Sequence, residues 1–202
     1  MLYIFGAGGG AFELLESRVS FSSQKITFIE DNPSSDKFLD WPVISTSDFD
    51  FIDIDPEFDF GFISCADVYF KERIDKRFPY MRWASFVCAG CDFLLKDKGP
   101  GNWFGFGSHI PSDLKAGRHV RVNYNGVFGH DCEVGDYSFI GINTAVCGQT
   151  KIGKGVYVGS GSTIINKDLK IGDWSVIGAG AVVTKDVPEG ALVMGVPAKV
   201  VK

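Results

Sequence analysis

Every sixth residue from Phe104 onward is apolar: Phe104, Ile110, Ala116, Val122, Phe128, Val134, Ile140, Val146, Ile152, Val158 and Ile164. One extra residue in "IINKDL" shifts the phase, after which Ile171, Ile177 and Val183 continue it. The residue after each of these is often glycine, as at Gly105, Gly117, Gly129, Gly135, Gly141, Gly153, Gly159, Gly172 and Gly178. The residue two before each is mostly small, as at Ser108, Gly126, Cys132, Ser138, Thr144, Thr150, Ser162, Ser175 and Ala181. A helix repeats near 3.6 residues and a strand at 2, so neither explains this pattern. A longer fixed period belongs to a solenoid of short strands and turns. Each hexad supplies one side, its aliphatic residue pointing inward, its small residue sharing the narrow interior and its glycine permitting the corner. Three hexads close one triangular coil, and stacked coils pair their backbones over a ladder of aliphatic side chains.

The first half follows a different pattern. Of 18 Phe, 14 precede residue 101, whereas 18 of 25 Gly lie at or beyond it. Two architectures are expected, residues 1–98 and residues 99–202, joined at "KDKGPGN", residues 96–102. In the first, "LYIF" (2–5), "KITFIED" (25–31), "PVIS" (42–45) and "DFGFISC" (59–65) read as strands. "AFELLESRV" (11–19) and "VYFKERIDKRF" (68–78) read as helices, the second with basic residues near its end. Alternating strands and helices imply a small parallel sheet. The expected fold is therefore α/β plus all-β: a small Rossmann-like N-terminal domain followed by a parallel β-helix.

Composition removes several function classes. A net charge of −5 without a basic run gives no footprint for nucleic acid or an anionic membrane. No apolar run approaches the ~18 residues of a membrane span, and "MLYIFGAGGG" lacks the basic start of a secretory signal. Five cysteines, an odd count, fit reduced thiols in a cytoplasmic protein. Cys88 and Cys91 form a lone CxxC with no second ligand pair, so zinc is not expected.

The chain has three histidines. Stacking places residues one coil apart above one another on the same face. His130, two after inward Phe128, should point out of the coil, and Gly148, two after Val146, holds the same place one coil later. A base beside a bare backbone N–H is what acyl transfer requires. His109, one before Ile110, and His119, three before Val122, occupy other phases, so the three do not converge on a metal. Both are expected to be exposed strand histidines. Cys132 falls in the small inward register and reads as packing.

The stretch "NYNGVFGHDCEVGDYSFIG", with Asn123 ahead of His130, Asp131 and Cys132, resembles the NeuD/PglD-type sugar acetyltransferases of the hexapeptide-repeat, left-handed β-helix superfamily. The ending "IGAGAVVTKDVPEGALVMGVPAKVVK" and the N-terminal "IFGAGGGAFE" are similar to that family as well, so the resemblance spans the chain. It implies acetyl-CoA as donor, the amino group of a nucleotide-linked sugar as acceptor, a role in bacterial surface glycan synthesis, and a homotrimer holding CoA between subunits. It implies His130 as general base with Asp131 orienting it or raising its basicity, Gly148 N–H at the acetyl carbonyl, and Asn123 placing the acceptor. Gly178 and Ala179 would receive the pantetheine arm, and Lys199 of "GVPAK" would contact the donor. O-acetylation of a sugar such as a sialic acid, and a non-catalytic β-helix that binds a nucleotide, are the alternatives.

"GAGGGA", residues 6–11, fits G-x-G-x-x-G/A between a strand and a helix, with Glu30 and Asp31 near the spacing of a ribose contact. The first half is long enough for one mononucleotide unit and has no second glycine-rich turn. N–H groups at Gly8, Gly9 and Gly10 facing phosphate, with Glu30 and Asp31 near ribose or base, would serve a nucleotide-sugar by the same physics.

Overall fold

The computed structural model describes residues 1–16, 25–93, 97–165 and 168–202. The chain divides into two compact units, Met1–Ser85 and Phe86–Lys202.

The first unit is an α/β sheet in the order β3-β4-β2-β1-β5, with β1 (Leu2–Phe5), β2 (Ile26–Glu30), β3 (Lys37–Phe38), β4 (Trp41–Ser45) and β5 (Phe60–Ile63). Strands β4, β2, β1 and β5 run parallel and β3 pairs antiparallel with β4. The strands stand where apolar and β-branched residues were read, because both faces of a parallel strand are covered and favour such runs. Helix α1 (Gly9–Glu16) follows the glycine turn, and residues 17–19 of the expected helix lie outside the described residues. The short α2 (Thr46–Phe49) is capped by Ser45, whose hydroxyl accepts from Asp48 N at 3.0 Å. Helix α3 (Val68–Arg77) starts at Asp67, whose carboxylate accepts from Tyr69 N at 2.9 Å and Phe70 N at 3.0 Å. It ends on Lys76 and Arg77, which suit the negative end of the helix dipole. Tyr3, Phe5, Phe49, Trp83 and Ile74 form the core beneath it.

The second unit is a parallel β-helix with three sheets of eight, five and six short strands. The register fixes the length of a coil. Arg121 pairs with Phe139, Lys115 with Glu133 and Val127 with Ala145, each 18 residues on. Past the inserted residue the offset becomes 19, as in Tyr157 with Val176 and Thr163 with Val182. The inward columns Phe104–Val122–Ile140–Val158–Ile177 and Ile110–Phe128–Val146–Ile164–Val183 are buried in one core, as expected from the hexads. The small column is buried too, and several of its hydroxyls are paired with backbone: Ser138 Oγ donates to Gly153 O at 2.8 Å and accepts from Val156 N at 3.0 Å. Thr144 and Thr150 close back on Gly141 O and Cys147 O at 2.8 and 2.7 Å. The end of the helix folds back on itself, Lys199–Val200 pairing antiparallel with Leu192–Met194.

Three expectations need correction. First, the hexad glycines do not turn the corners. A Cβ added at Gly141 would lie 2.6 Å from Ser160 N, so this position is bare because the next coil's backbone lies against it. The corner belongs to the residue two further on, which takes the left-handed conformation: Asn125, Asn143, Asp131, Gln149, His119, Tyr137 and Trp174 all have φ between 55° and 65°. Second, His119 is buried, not exposed. It occupies such a corner, its ring stacked on Tyr137 at 5.7 Å with the planes 13° apart. Third, the contact boundary follows Ser85, and residues 97–102 are not a linker. Phe86–Val87, Asp92–Phe93 and Asp97–Lys98 are the first coil, and Asn102 is wholly buried, donating to Gly99 O and Gly117 O and accepting from Val120 N at 2.7 Å. This coil escapes the hexad pattern because Phe86 and Trp103 are 17 residues apart and a lysine stands at the third inward position, its Nζ 4.4 Å from the Phe93 ring.

Gly141→Ala is expected to destabilise the chain by about 1–3 kcal/mol, because the added carbon must displace backbone. Gly161→Ala meets no atom within 4 Å but has φ +70°, so it should lose about 1–2 kcal/mol through the backbone alone. Denaturant midpoints of the two variants measure both costs.

Candidate functional site

His130 stands where a strand gives way to a corner. Val127–Phe128 pairs with Ala145–Val146 one coil on, and Phe128 turns inward. Gly129 follows and its N–H donates to Val146 O at 2.8 Å. His130 then leaves the coil with its side chain 68% exposed, and Asp131 turns the corner at φ 56° with its side chain 61% exposed. Adjacent residues of a flat strand point apart, so the left-handed turn at Asp131 is what lets the two side chains meet. His130 Nδ1 lies 2.9 Å from Asp131 Oδ2. A carboxylate on Nδ1 holds the proton there and leaves Nε2 with its lone pair free.

The other face of the imidazole lies against Gly148. A Cβ at Gly148 would sit 2.8 Å from His130 Nε2 and 2.9 Å from Cδ2. Gly129 is packed just as closely, 2.6 Å separating its hypothetical Cβ from Gly148 N. The glycine at 148 is therefore a seat for the ring as well as an open approach to its own N–H. That N–H makes no hydrogen bond among the described residues. Beside it Cys147 is exposed. Cys132 is buried, its thiol pushed up by desolvation and its Sγ donating to Cys147 O at 3.3 Å, which fits the packing role read from the sequence.

The remaining β-helix positions lie elsewhere. Asn123 and Gly178 follow Arg121–Val122 and Val176–Ile177, strands of the eight-stranded sheet, whereas His130 and Gly148 follow strands of the six-stranded sheet. Asn123, Gly178 and Ala179 thus share one corner of the coil and His130, Asp131 and Gly148 the next. Asn123 is only 6% exposed and its Oδ1 accepts from Tyr124 N at 2.9 Å, so its side chain is turned to its own corner. Lys199 is exposed on the closing strand, along a cleft with Thr184, Lys185, Asp186 and Pro197. One chain brings together His130, Asp131 and Gly148, and does not bring Asn123, Gly178, Ala179 or Lys199 to them.

In the first unit, Gly8 and Gly9 have open space where a Cβ would be, at the entry to α1, and Gly10 lies inside its first turn. The Glu30 carboxylate accepts from Ala7 N, so the end of β2 is tied to the glycine turn. Glu30 and Ala7 border a small cleft of about 210 Å³ with Asn32, Ser34, Ser35 and Lys37. Asp31 turns away: it is ion-paired with Arg73 and accepts from Thr46 Oγ1 at 2.9 Å. The Arg73 hydrogen bond, opposed by desolvation and helped by Thr46, holds its carboxyl below the ordinary aspartate range. Sequence reasoning passed over Asn32, Ser34 and Lys37, whose only signal is the turn-forming stretch after β2.

Among the described residues, no group of three or more His, Cys, Asp or Glu side chains could hold a metal ion, and no helix is long and apolar enough to cross a membrane.

Residues 131–166 match the bacterial transferase hexapeptide family (six repeats). The galactoside O-acetyltransferase of Escherichia coli (strain K12) is 34% identical over 123 residues, covering 51% of this chain and 58% of that protein. The bifunctional protein GlmU of Lawsonia intracellularis is 42% identical over 80 residues, 36% of this chain and 17% of that protein. The chain thus spans well under two thirds of the curated relatives it matches. Over its whole length it superimposes on solved structures. The acetyltransferase domain of PglB from Neisseria gonorrhoeae FA1090, in complex with acetyl coenzyme A, gives a TM-score of 0.88 at 22% identity, covering 99% of this chain and 98% of that one. WeeI from Acinetobacter baumannii AYE gives 0.86 at 25% identity, covering 100% and 99%. PerB from Caulobacter crescentus, in complex with CoA and GDP-perosamine, gives 0.81 at 23% identity, covering 100% and 97%.

Residues 131–166 carry that family's hexapeptide repeat, and the three paired sheets of the parallel β-helix run on either side of them. From end to end the chain shares the fold of these solved structures.

Gly148→Ala should push the imidazole off its seat and break the His130–Asp131 contact while leaving the β-helix folded. Nitrogen chemical shifts of the His130 ring, with circular dichroism as the fold control, measure this; an unchanged ring environment would remove the seat.

Proposed function

We propose that the chain is an acetyl-CoA-dependent N-acetyltransferase acting on the amino group of a nucleotide-linked sugar. The observation that carries this reading is the His130–Asp131 pair set against Gly148, one coil above: a base, its orienting carboxylate and an unused backbone donor. Acetyl-CoA supplies an activated acetyl thioester. His130 Nε2 takes the proton from the sugar amine as the amine attacks. Asp131 holds the imidazole through Nδ1 and stabilises it once charged. Gly148 N–H donates to the acetyl oxygen as negative charge develops there, and collapse of the tetrahedral adduct breaks the C–S bond and releases the CoA thiolate, which takes up the proton held by His130. A structural or purely regulatory β-helix has no need of this set.

Several finer statements belong to the same proposal. The coils wind left-handed and the first unit is Rossmann-like, readings supported by the whole-length likeness to the solved structures and by the parallel sheet whose glycine turn enters α1. The nucleotide-sugar sits by Gly8, Gly9, Gly10 and Glu30, next to the cleft at the end of β2. This is in keeping with the GDP-perosamine held by PerB. Asp31, engaged by Arg73, is the weakest member of that set. The pantetheine arm runs by Gly178 and Ala179, and Lys199 contacts the donor. Because the two corners are separate in one chain, the site closes when the corner carrying Asn123, Gly178 and Ala179 comes from a neighbouring copy, which is the reason to expect a homotrimer. The protein is placed in the cytoplasm, where acetyl-CoA and nucleotide-sugars are made, and its product enters a bacterial surface glycan.

His130→Ala is expected to lower acetyl transfer at least ~100-fold without changing the fold. The assay is free-thiol release from acetyl-CoA over a panel of UDP-, GDP- and dTDP-linked amino sugars, and near-normal turnover of the variant would defeat the assignment. The shared site has its own test. His130→Ala and Ala179→Trp chains, each inactive alone, should regain partial activity when unfolded and refolded together, because some interfaces then carry one intact corner from each. No recovery in a mixed assembly shown by mass spectrometry would place the whole site in one chain.

A further inference from the structure

The loop between α2 and β5 serves neither the glycine turn nor the β-helix site. Residues 48–59, "DFDFIDIDPEFD", interleave six acids with aromatic and aliphatic side chains and hold no lysine or arginine. Three of the acids are spent inside the fold. Asp48 accepts from Ser45 Oγ at 2.7 Å, Asp50 is paired with Arg77, and Asp59 holds the N-terminal ammonium at 2.8 Å. The other three, Asp53, Asp55 and Glu57, are exposed and meet no cation among the described residues. Arg82, on the chain leaving α3, reaches the loop's backbone, donating to Pro56 O and Glu57 O at 3.0 and 2.7 Å with its guanidinium over the Phe60 ring.

The apolar members of the same loop are left in water. Phe51 is 90% exposed, Phe58 68%, and Tyr80 on the chain leaving α3 90%. Rings of this size normally cover the core. Tyr80 lines, and Phe51 stands in sequence between two residues that line, a cleft floored by Phe49, Ile54, Phe78 and Met81, with the Asp50–Arg77 pair on its wall. The cleft volume, about 510 Å³, is enough for a large aliphatic or aromatic side chain. Residues 50–58 lead into the first residue of β5, while Glu30 and the glycine turn follow the last residues of β2 and β1. The two clefts share no lining residue, so this one is separate from the cleft at the end of β2.

We propose that this surface docks a basic, apolar segment of another protein: Lys or Arg side chains flanking a Leu-, Ile- or Phe-type anchor. The anchor fills the cleft floored by Phe49 and Phe78. The flanking cations meet Asp53, Asp55 and Glu57 and lie on the faces of Phe51 and Tyr80. Exposed aromatics around a pocket are where interface energy concentrates, and an apolar patch rimmed by charge marks a binding surface. The sign of that charge selects the partner. Asp53, Asp55 and Glu57, which meet no cation among the described residues, repel an anionic bilayer and an acidic peptide, and they also repel the same loop of a second copy.

The test uses the full chain and a synthetic peptide of alternating lysine and leucine, read by fluorescence anisotropy at rising salt. Binding should weaken with salt, and at least ~10-fold in Phe51→Ser/Tyr80→Ser and in Asp53→Lys/Glu57→Lys. Asp40→Lys/Glu189→Lys, a control of the same charge change away from the loop, should bind as the unaltered chain does. Equal binding to the loop variants and the unaltered chain, or no binding, would overturn the proposal. So would preference for the matching glutamate–leucine peptide, for phosphatidylglycerol vesicles, or self-association abolished by Phe51→Ser/Tyr80→Ser.

Discussion

The second unit depends on the pairing of each coil's backbone with the next. The N–H one residue past each inward aliphatic donates to a carbonyl one coil on, as Gly105 to Val122, Gly129 to Val146 and Gly141 to Val158, each at 2.8 Å. These bonds set the offset of 18, and the offset in turn stacks like on like: aliphatic on aliphatic inside, hydroxyl on hydroxyl at the narrow positions. Where a carbon on the hexad glycine would meet the neighbouring backbone, only glycine fits. The repeat in the sequence is the imprint of this one contact made again on every coil.

The corners carry what the flat sides cannot. A flat side offers alternate side chains to opposite faces, but a left-handed residue breaks that alternation. At most corners this serves packing. Asn125 donates to Asn143 at 3.0 Å, and Lys154 Nζ lies 5.4 Å from both the Tyr137 and Trp174 rings. Left-handed conformations cost bulky residues about 1–2 kcal/mol, which these stacked contacts help to offset. At Asp131 the same break turns a histidine and its neighbour toward each other. The chemistry proposed for the chain grows out of a structural necessity of the coil.

Much of this architecture was legible. The hexads gave the β-helix because each coil repeats the same demand on the same three positions. The strands at residues 2–5, 26–30, 41–45 and 60–63 announced themselves through apolar runs. The first coil, beginning at Phe86, was hidden: its spacing to the next is 17 at Phe86, and Lys98 stands where an aliphatic would. His119 was read as exposed because histidines on strands usually are, yet it sits at a corner whose side chain folds down onto Gly101. Asp31 fitted a ribose contact by spacing, but Arg73, 42 residues away, claims it.

The sequence by itself determined the period, the inward faces and the placement of His130 beneath Gly148, since these follow from local spacing alone. Only the tertiary structure decided that Asp131 reaches His130, that Gly148 is a seat for the imidazole, and that the Asn123 side chain turns to its own corner. Spacing fixes which coil and which face a residue occupies. The direction a side chain takes at a corner depends on the sign of φ and on what the coils above and below leave open, and neither is written in the repeat.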